Sequence, residues 1–188
     1  MTFAESVARI GFHTVQPETP TECPDGLSLL EWTLVDLENL NLPDIPMIDR
    51  LVPLADIPRM STFANAAIIN YGVSCLSDEA CYVNVGVWHG FSFFAGMVGN
   101  PDKHCIGVDN FSMRDRDPVD QPAEFGFRAR FTQERSEKHQ FWNMDYAKYL
   151  TTVHTMPIGF YFYDGAHNYI NQIQGLRLAE PFFTDDCI

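Results

Sequence analysis

Apolar and polar positions along this chain follow two rhythms, and the switches between them mark its elements. From Met60 on, short β-prone runs alternate with stretches whose apolar residues recur at helical spacing. Ser61 or Thr62 can cap a helix presenting Ala64, Ile68, Tyr71 and Cys75 on one face. Residues 81–87 read as a first strand, interrupted by Gly86 near its end. Residues 90–98 predict a helix with Phe91, Phe94 and Met97 as its bulky face, and 104–109 a second strand cut off at Asp109 and Asn110. A polar, proline-containing insertion at 112–122, read as a substrate lid or a disordered loop, precedes a helix carrying Phe125, Phe127 and Phe131. Residues 140–144 form a third strand ending at Asp145. Ile158–Tyr163 is the clearest strand, apolar or aromatic except at Gly159, as suits burial on both faces of a parallel sheet. Tyr169, Ile173 and Leu176 then predict the packed face of a closing helix.

Strands alternating with helices specify an α/β fold of three layers around a mostly parallel sheet. Before this region the chain is rich in proline and acidic residues, with one apolar patch at 27–35 and with Pro43, Pro46 and Pro53 breaking any long helix. The predicted organisation is an N-terminal arm or helical appendage over residues 1–58 and an α/β domain over 59–188.

Composition narrows the function classes. Apolar residues make up 46% of the 188, an ordinary globular share, so a real core is expected. The formal charge of −13 argues against a nucleic-acid partner, and Arg128, Arg130, Arg135 and Lys138 read as a solvated helix face. No apolar run is long enough to span a bilayer and no basic-then-apolar leader pattern is present, which predicts a cytoplasmic protein without a membrane partner. Cys23, Cys75, Cys81, Cys105 and Cys187 are odd in number and irregular in spacing, which speaks against a disulfide framework or a structural zinc site. Cys75, Cys81 and Cys105 lie in or beside apolar segments and are expected in the core.

Candidate chemistry gathers at the carboxyl ends of the strands, where open α/β sheets bind ligands. There stand the turn of residues 86–92, then Asp109, 23 residues beyond Gly86, then Asp164. A carboxylate at the position of Asp109 can accept from both ribose hydroxyls of a nucleoside. A dinucleotide fingerprint would need glycine where Trp88 stands, and a P-loop would need Gly-Lys-Ser/Thr, which is absent. S-adenosylmethionine has no phosphates. Its carboxylate suits the Ser92 hydroxyl and the N–H groups opening helix 90–98, and its sulfonium suits an acidic, aromatic-lined site. His89 sits in the same turn and could touch the ligand.

The residues of 83–92 resemble motif I of small-molecule O-methyltransferases, and Ile106, Gly107, Val108, Asp109, Asn110 and Phe111 resemble the ribose-binding strand of that group. Residues 160–169, with Asp164-Gly165-Ala166-His167-Asn168-Tyr169, closely resemble the DGxHxY signature of bacterial class I methyltransferases of the "family 24" kind. They are also similar to catechol-type and macrocin-type O-methyltransferases. Together these segments cover roughly residues 60–188.

The resemblance implies a Rossmann-like S-adenosylmethionine methyltransferase with a small-molecule acceptor. Gly86, Trp88 and Gly90 would form the cofactor turn, Ser92 would meet the carboxylate and Asp109 the ribose, and Met144 or Asp145 would lie near the adenine. Asp164 and His167 are the candidate catalytic residues. In metal-dependent relatives the residue matching Asp164 binds a divalent cation.

Two departures stand out. Asn84 replaces the usual acid of motif I, and residues 185–188 look like the turn before the strand whose acids complete the metal site. The chain is therefore expected to be C-terminally truncated, to hold no metal as it stands, and to homodimerise through a bare edge of strand 158–163. The alternative readings are a non-catalytic remnant of the fold acting as a binding or assembly module, or another nucleotide-binding Rossmann-like protein.

Overall fold

The computed structural model describes residues 2–10, 45–59, 61–112 and 122–188. The apolar patch at 27–35, Pro43, Cys23 and most of the insertion at 112–122 lie outside these residues. Four strands form one all-parallel sheet in the order β3-β2-β1-β4: β1 (Cys81–Val85), β2 (His104–Val108), β3 (His139–Trp142) and β4 (Ile158–Tyr163). Every residue of β1 is buried, as expected for a strand paired on both sides and covered on both faces.

Side chains alternate across the sheet and divide the core into two layers. Tyr82, Cys105 and Phe160 point into the first. This layer holds α1 (Phe3–Val7), α2 (Ile45–Leu51), α3 (Phe63–Ser74), α4 (Phe91–Met97) and α5 (Pro122–Glu134). Cys81, Val83, Val85, Ile106, Val108 and Ile158 point into the second, against α6 (Tyr146–Thr152) and α7 (Tyr169–Ala179). The first layer is aromatic: Phe93 touches Tyr82, Phe94, Phe127 and Phe131 ring to ring. Fully burying each such ring stabilises the fold by about 1.5–3 kcal/mol.

Described parts of the N-terminal region also enter this layer. Thr2 and Glu5 close a capping box on α1, whose Phe3 ring meets Phe160 edge-on at 6.5 Å. Met47, Leu51, Leu54, Ala55 and Ile57 are buried in the same cluster. Pro46 is tolerated in the first turn of α2, and Pro53 lies in the 3-10 turn Val52–Leu54 that follows.

Three helix faces differ from the sequence pattern. In α3, Ala64 is buried, but so are Ala66, Ala67, Ile69, Asn70, Gly72 and Val73, because α1, α2 and α4 all pack on this helix. Cys75 falls past its last turn and is exposed, whereas Cys81 and Cys105 are buried. In α5, Phe127 and Phe131 are buried one helical turn apart, while Phe125, about 200° round from Phe127, is 77% exposed. In α7 the buried residues are Gly175 and Ala179. A Cβ on Gly175 would lie 2.5 Å from the Tyr163 ring, so the smallest residues form the contact and Tyr169 and Leu176 point outward.

The outer edge of β4 is not bare. Thr184 N–H donates to Ile158 O (3.0 Å), Ile188 N–H to Gly159 O (3.1 Å), and Tyr161 N–H to Ile188 O (2.8 Å). The expected homodimer through this edge therefore loses its physical driver at these residues. Among the described residues no helix is long and apolar enough to cross a membrane.

Burial sorts the thiols by reactivity. It pushes the Cys81 thiol up to about 12, with Cys187 adding to the shift, and raises Cys105 further. At pH 8 both are protonated and shielded, whereas Cys75 is exposed. Maleimide labelling mapped by peptide mass spectrometry should modify Cys75 within minutes and spare Cys81 and Cys105 until denaturant is added. Equal labelling of the three would contradict this packing.

Candidate functional site

Strand order reverses between β1 and β4: the chain runs outward from β1 to β3, then returns to the other side of β1. At this switch point the carboxyl ends of the strands enclose a cleft of about 710 Å³. Of the residues singled out from sequence, Gly86, Trp88, Ser92, Asp109, Met144, Asp145, Asp164 and His167 all line it. Gly90 does not. It caps α4 at φ +98°, and a Cβ there would strike the Phe94 ring at 2.5 Å.

Gly86 brings the two halves of the site together. Its φ is +83°, and a Cβ would lie 2.2 Å from the carbonyl oxygen of Asp164. Its own N–H donates to Val108 O (2.9 Å), and Asp164 N–H donates to Val85 O (2.7 Å). Turn, β2 and the end of β4 therefore close on one point.

Asp109 holds the turn from the other side. Its Oδ2 accepts from Val87 N–H (2.7 Å) and Trp88 N–H (2.9 Å), and its Oδ1 accepts from Phe111 N–H (2.7 Å). Trp88 and Phe111 both sit at φ +49°, a conformation that disfavours bulky side chains. Among the described residues they are the only non-glycine residues at positive φ, and both are tied to this carboxylate. Charge-assisted bonds thus offset backbone strain at two places, and the Trp88 side chain is presented to the cleft. Among the described residues the Trp88 indole N–H is shielded from water and has no hydrogen-bond partner. The ring packs on His89 at 4.3 Å.

Under the turn lies a buried polar set. Asn84 in β1 donates through Nδ2 to Ser92 Oγ (3.1 Å), and Tyr82 O–H donates to Ser92 O (3.1 Å). Across the cleft, Asp145 caps α6 by accepting from Lys148 N–H at 3.0 Å. His167 Nε2 lies 3.0 Å from Asp164 Oδ1, with both side chains more than half exposed at the rim. Among the described residues no group of three or more His, Cys, Asp or Glu is gathered as a metal site.

Sequence reasoning missed one wall. Arg59, Ser61 and Asn65 line the cleft from the segment that enters α3, and Tyr146 and Asn171 line it from the helices of the second layer. None belongs to a motif. The available signal was a lone arginine just ahead of a helix cap.

A family model described as a methyltransferase domain matches residues 83–188. No curated protein and no solved structure matches the chain.

Replacing Asp109 tests the turn directly. Asp109→Ala strands three backbone N–H groups and should lower the free energy of unfolding by about 3 kcal/mol in urea titrations. Asp109→Asn, which keeps one acceptor oxygen, should lose less. Equal stability of Asp109→Ala and the parent would show that the carboxylate does not hold the turn.

Proposed function

Because the chain belongs to the methyltransferase-domain family, we propose that it transfers a methyl group from S-adenosylmethionine to an oxygen of a small-molecule acceptor bound in this cleft. The observation that carries the reading is the convergence of the turn after β1, Asp109 and Asp164 on one cavity at the switch point. The residues present fit the cofactor. The Trp88 indole N–H, without a partner among the described residues, offers a donor, and Gly86 lets the turn after β1 meet the end of β4 beside it. A dinucleotide would need its pyrophosphate where the Trp88 side chain stands.

Each residue then has a task. A carboxylate has about four lone-pair directions and Asp109 uses three on backbone N–H groups, so one on Oδ1 can accept from a ribose hydroxyl. Met144 and Asp145 flank the adenine, and the Ser92 hydroxyl meets the amino-acid end. The cofactor supplies an electrophilic methyl group on a sulfonium, a cation that suits an acidic chain and the faces of Trp88, Phe91 and Phe111. With Nε2–H of His167 donated to Asp164, Nδ1 carries the lone pair and can take the acceptor's hydroxyl proton. Most of the rate gain comes from holding the acceptor oxygen in line at near-attack distance.

Calorimetry with S-adenosylmethionine, S-adenosylhomocysteine and NAD, side by side, tests this reading. The first two should bind and NAD should not. Binding of NAD alone would favour another nucleotide enzyme, and absence of all binding would favour a non-catalytic module. In a screen of small hydroxylated acceptors, His167→Ala should cut turnover by about 100-fold with S-adenosylhomocysteine affinity unchanged. Unaltered turnover would remove His167 from the chemistry.

A further inference from the structure

Asn84 stands in β1, the strand buried along its whole length, and is itself fully buried. Its Nδ2 donates to Ser92 Oγ at 3.1 Å, while its Oδ1, shielded from water, has no partner among the described residues. A buried amide with an unmet oxygen costs more than an apolar side chain of the same shape, so its presence calls for a use. The amide is held one way round. Burial raises the Tyr82 phenol well above its ordinary value, and a hydrogen bond from the Asn84 side chain works against that rise. Tyr82 O–H already donates to Ser92 O at 3.1 Å, so its oxygen has only lone pairs to offer Asn84, and only Nδ2 can donate to them. Ser92 is left with an unspent proton. A hydroxyl has one donor and two lone pairs. One lone pair takes the Asn84 N–H, and the Ser92 O–H has no acceptor among the described residues. Ser92 is 9% exposed and lines the cleft.

We propose that Asn84 is a positioning residue: it turns the Ser92 hydroxyl toward the cleft as a donor, and so selects a carboxylate over an ammonium at that point. A carboxylate only accepts hydrogen bonds and an ammonium only donates them. An acid in place of Asn84 would take the Ser92 proton itself and leave a lone pair facing the cleft, which reverses the preference. The neutral amide does the opposite, and its unmet oxygen is the cost of keeping the serine turned this way. The inference rests on the proposed cofactor, and it assigns the group that Ser92 meets to the cofactor's carboxylate rather than its ammonium.

Titration calorimetry on the whole chain tests this with two probes, S-adenosylhomocysteine and 5′-methylthioadenosine, which shares the thioether nucleoside but has no amino-acid end. Asn84→Asp keeps the shape and reverses the hydrogen bond to Ser92. It should weaken S-adenosylhomocysteine by about 10-fold or more while leaving methylthioadenosine unchanged. Ser92→Ala should show the same selective loss, and adding Asn84→Asp to it should then change little, because the acid acts through the serine. A further selective loss in the double variant would mean direct charge repulsion and overturn the positioning role. Parent-like binding of both probes by Asn84→Asp, or an equal loss of both, would overturn it as well. Should Asn84→Asp fail to fold, Ser92→Ala alone carries the test: selective loss of S-adenosylhomocysteine supports the proposal and parent-like binding overturns it. A parent protein that binds neither nucleoside would overturn the cofactor reading, and this inference with it.

Discussion

Three backbone N–H groups from two separate turns end on the carboxylate of Asp109, and the shape of the cleft depends on that meeting. Trp88 and Phe111 occupy a backbone region that costs a bulky residue about 1–3 kcal/mol. At Phe111 the bond to Asp109 is local, from an N–H two residues on, whereas the turn that holds Trp88 has no local reason to adopt it. One ionised acceptor placed between them provides the reason, since each charge-assisted bond offsets strain of similar size. The carboxylate therefore acts on the architecture of the site before it acts on any ligand, and one side chain couples the ends of β1 and β2.

That acceptor is effective because the sheet beneath it is rigid. β1 is buried along its length, paired on both sides and packed on both faces. The aromatic layer under α4 and α5 fixes the helix that carries Ser92, and the second layer fixes the strand end that carries Asp164. Gly86 lets these two supports close to a separation that no side chain would permit. The reversal of strand order at the same point leaves a gap between diverging loops, and the gap is the cleft.

The cleft is uneven in charge. Asp109, Asp145 and Asp164 stand at the ends of β2, β3 and β4, while Arg59 stands on the wall formed by the entry to α3. The division arises from topology, because the strand ends supply the acids and a first-layer segment supplies the base.

The strands, their parallel packing and the residues at their ends were legible in the sequence. β-prone runs, glycine turns and strand-end aspartates are local signals, and the match of residues 83–188 to a methyltransferase domain rests on that same stretch. Helix faces were less legible. Phe125, Tyr169 and Leu176 fit an apolar pattern yet point to solvent, because the contact face is chosen by what a neighbour can approach, and in α7 that is Gly175 and Ala179. The full work of Asp109 was hidden as well, since spacing reveals a carboxylate at a strand end but not the backbone groups that turn toward it. Arg59 lay outside every motif. Only folding brings it over Phe91 and onto the cleft, because a contact between segments remote in sequence leaves no local periodicity to read.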